Sequence, residues 1–239
     1  MLWSSPQFAR NAFAGVALGV LACAVAPGST VQEQRQLGVR EGRLIRQSFT
    51  MLRDRIVVSY VRELGTKLSE GAAATPFPLS FYILEHATPS AFAVPGGSIY
   101  VSSGILLEAR NPDELAGVLA HVIAHVAAQH EVLQYQQAGN RPGAFAVPFS
   151  AKAERRAKDL AVSALESAGY DPRGLARLVE RLRARPAPSD RLQQQVPPFV
   201  VAHPLPPDDH RADANGENSG SPDSERLREV QERIRLIQG

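Results

Sequence analysis

Cysteine is nearly absent from this 239-residue sequence: Cys23 is the only one, so no disulfide can form within the chain. An excess of charge of one sign is missing too. The 26 basic and 24 acidic residues leave a net charge of +2, and no basic run is interleaved with aromatics. Nucleic-acid binding, which needs a concentrated basic face, is therefore not supported. Internal repeats are lacking, and Ser102 and Ser103 have no nearby acid–histidine pattern, so a serine hydrolase is not supported either. What is present is ordinary for a globular protein, with 44% hydrophobic and 21% charged residues. Both ends look unlike folded core. The middle, roughly 160 to 180 residues, is enough for one domain with a sizeable core.

The first 30 residues read as a targeting segment. Arg10 precedes an apolar stretch, Ala12 to Ala22, which is shorter than the about 20 residues a membrane-spanning helix needs. Val20-Leu21-Ala22-Cys23 is similar to a bacterial lipobox. On that reading residues 1–23 are a lipoprotein-type signal peptide and Cys23 becomes the lipid-modified first residue, a membrane anchor. The alternative is ordinary cleavage near Ala26 with Cys23 discarded. Both readings export the protein.

Residues 24–37 read as a linker. From Val39 to Glu70, Leu44, Ile45, Phe49, Leu52, Ile56, Tyr60, Val61, Leu64 and Leu68 recur at helical spacing and predict one or two helices. Near-alternating apolar residues over Phe77 to Leu84 predict a strand; Ala91 to Gly97 predicts a second ending in a turn, and Ser98 to Ser102 a third, together a small antiparallel sheet. Asn111-Pro112-Asp113-Glu114 is a helix start, with a capping Asn, Pro at the first position and acids in the first turn. That helix is expected to run to Tyr135 and to bury Leu115, Val118, Leu119, Val122, Ile123 and Val126. Further helices are expected over Ser150 to Ser167 and from Pro172 to about Arg183. Residues 207–224 read as disordered, and 225–239 as a short, charged, amphipathic helix.

His121 and His125, four apart on one helix, share a face, as two imidazoles must to grip one metal ion. The helix around them is strongly apolar, which a dry metal site requires. A third ligand must come from elsewhere, and Glu154, early in the following helix, is the best candidate; a solvated helix carboxylate is the alternative. Two histidines and a glutamate leave zinc an open fourth position, as catalytic sites do. His203 could fold back to that position as a latch, or be a surface group. His86, His130 and His210 read as structural or solvated, and Glu131, six residues beyond His125, as a poor substitute base.

Asn111 to Val126 resembles the pattern DELAGVLAHEIAHV of the HExxH gluzincin metallopeptidases of the CAAX prenyl endopeptidase type, whose periplasmic branch is linked to outer-membrane protein quality control. Ser90 to Val101 resembles that family's NAFALPGGxIYV strand pair, Phe149 to Lys158 its FSRxxExxAD segment, Ala168 to Pro172 its AGYDP, and Phe199 to Pro206 its FxxTHPxP. Five blocks in order cover residues 38–206, which would form the metallopeptidase-like domain. The resemblance implies an α+β, mainly helical, zincin-like fold with a small sheet. It also implies one zinc ion held by His121, His125 and Glu154. Ala91, Phe92, Ala93, Val94, Pro95, Gly96 and Gly97 would form the edge strand along which an extended polypeptide substrate or client lies.

Three departures alter the functional expectation. Val122 stands where the family has its catalytic glutamate, and valine can neither take a proton from water nor deliver one. Lys158 replaces an aspartate that would orient a zinc-binding histidine; Asp159 next door is rotated by about 100° on a helix. The gap from His125 to Glu154 is also shorter than in most members. The leading expectation is an exported, periplasmic, lipid-anchored pseudopeptidase that binds polypeptide rather than cutting it. An active zinc endopeptidase with an unrecognised base is the alternative, and a metal-free structural remnant the third.

Overall fold

The computed structural model describes residues 30–184, 196–204 and 222–239. The signal peptide, Cys23, His210 and most of the segment read as disordered lie outside the described residues.

The first helix, α1 (Val31–Ser48), starts where a linker was expected. A reciprocal cap explains it: the Thr30 hydroxyl accepts from the Glu33 N–H at 3.2 Å, and the Glu33 carboxylate accepts from the Thr30 N–H at 2.6 Å. After the two-residue strand β1 (Met51–Leu52), Asp54 caps α2 (Arg55–Glu70), so the amphipathic stretch is two helices with a strand between them. Strands β2 (Ser80–Leu84), β3 (Ala91–Val94) and β4 (Ser98–Ser102) follow.

The sheet runs β1-β2-β4-β3 and is mixed, which corrects the expected antiparallel sheet. β1 with β2 and β3 with β4 are antiparallel, but β2 and β4 are parallel. The segment 85–90 carries the chain past β2's neighbouring place to the far edge, and the hairpin then returns β4 between them. Gly96 (φ 91°) and Gly97 (φ 86°) make that hairpin turn in backbone space that other residues rarely enter. α1 crosses the same turn so closely that a side chain on Gly38 would collide with the Pro95 carbonyl.

Ser102 caps a short helix, α3 (Ser103–Glu108), that sequence periodicity does not reveal. The Ser102 hydroxyl also donates to the Thr88 carbonyl and accepts from the Ser90 N–H, a wholly structural employment. Helix α4 (Pro112–Ala127) is capped by Asn111 as expected and is buried on every side from Pro112 to Val126. Such all-round burial is why its sequence is apolar all round. It ends earlier than predicted. Ala128 and a left-handed Gln129 (φ 54°) break it, and α5 (His130–Gln137) sets off in a new direction.

Ser150 caps α6 (Ala151–Ala168), which ends on left-handed Gly169, and α7 (Gly174–Arg183) packs on α4. A one-turn helix, α8 (Phe199–Ala202), is laid against β3: the Phe199 N–H donates to the Pro89 carbonyl at 2.8 Å, and the Ser90 hydroxyl to the Pro197 carbonyl at 2.7 Å. The last helix, α9 (Pro222–Gln238), begins inside the stretch read as disordered. It buries Leu227, Val230 and Ile234 in the main core. Arg233 pairs with Asp54, and Gln231 donates to the Leu106 and Ala109 carbonyls.

Candidate metal centre

Four buried side chains from two helices and one helix end converge: His121 and His125 from α4, Glu154 from the first turn of α6, and His203 just after α8. Their donor atoms lie within 4.8 Å of one another. The two Nε2 atoms of His121 and His125 approach to 3.1 Å. Glu154 Oε2 is 3.1 Å from His121 Nε2, and Oε1 is 3.4 Å from both His125 Nε2 and His203 Nδ1. Zinc with donors at about 2.0–2.1 Å in a tetrahedron separates neighbouring donors by about 3.3 Å. The group therefore has the donor types, spacing and dryness that zinc takes. Glu154 Oε1 and His203 Nδ1 are buried without a hydrogen-bond partner, as metal-facing atoms would be.

Protonation suits a cation as well. Burial holds His121 below the ordinary imidazole range and His125 well below it, so both are neutral. Burial alone would raise the Glu154 carboxyl, but the imidazoles that face it, His121 first among them, outweigh burial and keep the group ionised. Neutral imidazoles and an ionised carboxylate are the forms that bind metal. The Ala91 carbonyl lies 3.3 Å from His203 Nε2 and, as an acceptor, sets the proton there, leaving Nδ1 bare toward the cluster. Aromatic rings wall the site: Phe149 stacks on His125 at 4.0 Å between centroids, and Phe199 on His203 at 4.6 Å.

The departures have visible counterparts. Val122 is buried among apolar neighbours. His121 Nδ1, buried, has no hydrogen-bond partner among the described residues. Asp159 is exposed, on another face from Glu154. Glu131 is buried rather than poised at the cluster, and burial pushes its carboxyl up to about 8. Ala91 to Pro95 and Gly97 are buried as well, with α1, α8 and His203 packed along β3. His130, read as structural or solvated, is buried against a site residue: its Nδ1 lies 3.1 Å from His125 Nδ1.

Residues 58–145 match the family model of Peptidase family M48, a stretch that holds His121 and His125 and stops short of Glu154 and His203. The chain is similar to the beta-barrel assembly-enhancing protease of Escherichia coli strain K12, 26% identical over 238 residues, covering 84% of this chain and 47% of that protein. It is also similar to the mitochondrial metalloendopeptidase OMA1 of Schizosaccharomyces pombe, 27% identical over 147 residues, covering 52% of this chain and 44% of that protein. The Arabidopsis thaliana protein of the same name is 31% identical over 147 residues, covering 52% and 30%. The chain thus spans about half the length, or less, of these relatives. No helix among the described residues is long and apolar enough to cross a membrane. Fold, matched family segment and donor set together make the chain metallopeptidase-like.

Proposed function

We propose that this chain is a zinc-binding pseudopeptidase of the cell envelope, exported and anchored through Cys23, that holds polypeptide instead of cleaving it. The observation carrying this reading is Val122 beside an otherwise complete donor set. Zinc, when bound, would polarise a water or a carbonyl. Turnover also needs a base to take the water's proton and return it to the leaving amine, a contribution of roughly 10²- to 10⁴-fold. Glu154 is the only carboxylate in the donor group among the described residues, and it is committed as a ligand. The rival reading, an active endopeptidase, lacks a base in the site among the described residues.

His203 deepens the reading. Four protein donors leave no position for water, the arrangement of structural rather than catalytic zinc. With His203 engaged, the metal ties the 196–204 segment to α4 and α6 and keeps β3 covered. His203 then acts as a latch: a client strand pairs along Ala91 to Gly97 once that segment lifts. Similarity to a protein named for enhancing beta-barrel assembly supports envelope proteins as the client class.

Restoring the lost group tests the proposal. Neither the parent nor Val122→Glu alone cleaves an unfolded protein substrate, because His203 fills the fourth position. Val122→Glu with His203→Ala gains chelator-sensitive cleavage, roughly 10²-fold or more above the parent. Chelator-sensitive cleavage by the parent contradicts the proposal. A double variant that is folded, zinc-loaded and inert contradicts the claim that Val122 is what silences the cleft.

A further inference from the structure

Resting on the reading of the cluster as a zinc site, we infer that His130 is the residue that orients His125 within it. Of the two ligands on α4, His121 has no hydrogen-bond partner at Nδ1, while His125 Nδ1 faces His130 Nδ1 at 3.1 Å. With His125 Nε2 turned toward the donor group, its proton sits on Nδ1 and is donated to His130. His130 must then be bare at Nδ1 and carry its own proton on Nε2, so it acts as a neutral acceptor. A ring held by such a bond cannot rotate its Nε2 away from the metal position, and partners of this kind matter by roughly 10- to 100-fold in metal affinity.

The backbone is arranged to make the contact. On a continuous helix His130 would be turned about 140° away from His125. Left-handed Gln129 interrupts the helix between them and re-aims the chain, so that the first residue of α5 folds back over the last turn of α4. The two imidazoles meet edge to face, with centroids 5.0 Å apart, and Phe149 stacks on the ring face of His125. His125 is thereby fixed by a hydrogen bond at one end and a stacked ring on its face.

The role separates from mere packing through the choice of substitutions. Asn places its side-chain oxygen near the position of a histidine Nδ1 and can accept the same bond; Leu fills space and accepts nothing. Zinc affinity is measured by competition with a chromogenic chelator, together with the melting temperature of each metal-free protein. His130→Leu binds zinc roughly 10- to 100-fold more weakly than the parent, His130→Asn stays within about threefold, and the metal-free melting temperatures agree. Equal affinity of the parent and His130→Leu overturns this inference while leaving the zinc reading intact, as does an Asn variant as weak as the Leu variant. A parent that binds no zinc overturns both.

Discussion

Saturating zinc raises the melting temperature of this protein by about 8–16 °C, and Glu154→Gln removes most of that rise. The magnitude follows from linkage. A ligand that binds only the folded chain, present at a thousand times its dissociation constant, stabilises by about 4 kcal/mol, and each kcal/mol is worth about 2–4 °C in a chain of this size. The effect is large because the donors belong to distant parts of the sequence. His121 and His125 lie on α4, Glu154 on α6 and His203 after α8, so the metal cross-links elements that separate on unfolding. Glutamine keeps the shape of Glu154 but supplies a neutral, poorer ligand to a dication. Differential scanning fluorimetry with zinc and with chelator measures both changes. Identical melting of the parent under the two conditions would instead mark the cluster as a metal-free remnant in which the histidines merely pack.

Glu131→Gln makes the metal-free protein markedly more stable at pH 8 and changes it little at pH 4.5. Glu131 is buried with both carboxyl oxygens unpartnered, and burial pushes it from 4.5 up to about 8. The folded chain therefore holds a proton that the unfolded chain releases. Its contribution to stability is complete below pH 4.5, falls as pH rises toward 8, and has then been lost. A shift of this size corresponds to a loss on the order of 4 kcal/mol across that window. Glutamine cannot ionise, so the variant escapes that loss. The depressed histidines His121, His125 and His130 slope the other way, stabilising above the ordinary imidazole range and less as pH falls through it. The informative quantity is therefore the difference between parent and variant in denaturant midpoint at pH 4.5 and pH 8. A difference that does not grow with pH would show that Glu131 ionises as freely in the folded chain as in the unfolded one.

The local parts of this structure were legible from local signals. Asn111-Pro112 starts α4 because its side chain and ring suit a helix entrance, and Ser150 and Gly169 bracket α6 for similar reasons. The i, i+4 pair His121 and His125 needs only helix geometry to converge. Glu154 needed the family's block pattern as well as spacing. The Thr30–Glu33 cap was readable as T-x-x-E, yet the polar stretch around it masked the helix it begins.

The remainder depends on contacts between residues far apart. A parallel β2–β4 pairing is decided by the path of the chain between the strands, and side-chain alternation is the same for either direction. The break at Ala128-Gln129 has neither glycine nor proline to announce it, so a helix projected to Tyr135 sends His130 to the wrong face. His203 sits 78 residues after His125, and only the seating of α8 on β3 brings it to the donor group. The spacing of Leu227, Val230 and Ile234 marks α9 as amphipathic, while the surface it covers is known only once α2, α3 and α4 are assembled.

The most direct test of the central claim is incubation of the purified, zinc-loaded protein with an unfolded protein substrate, with and without chelator. Bound zinc and no cleavage in either arm are expected, because Val122 cannot carry a proton and His203 occupies the fourth position. Cleavage that the chelator abolishes would contradict the claim, showing that a base other than the missing glutamate serves the metal.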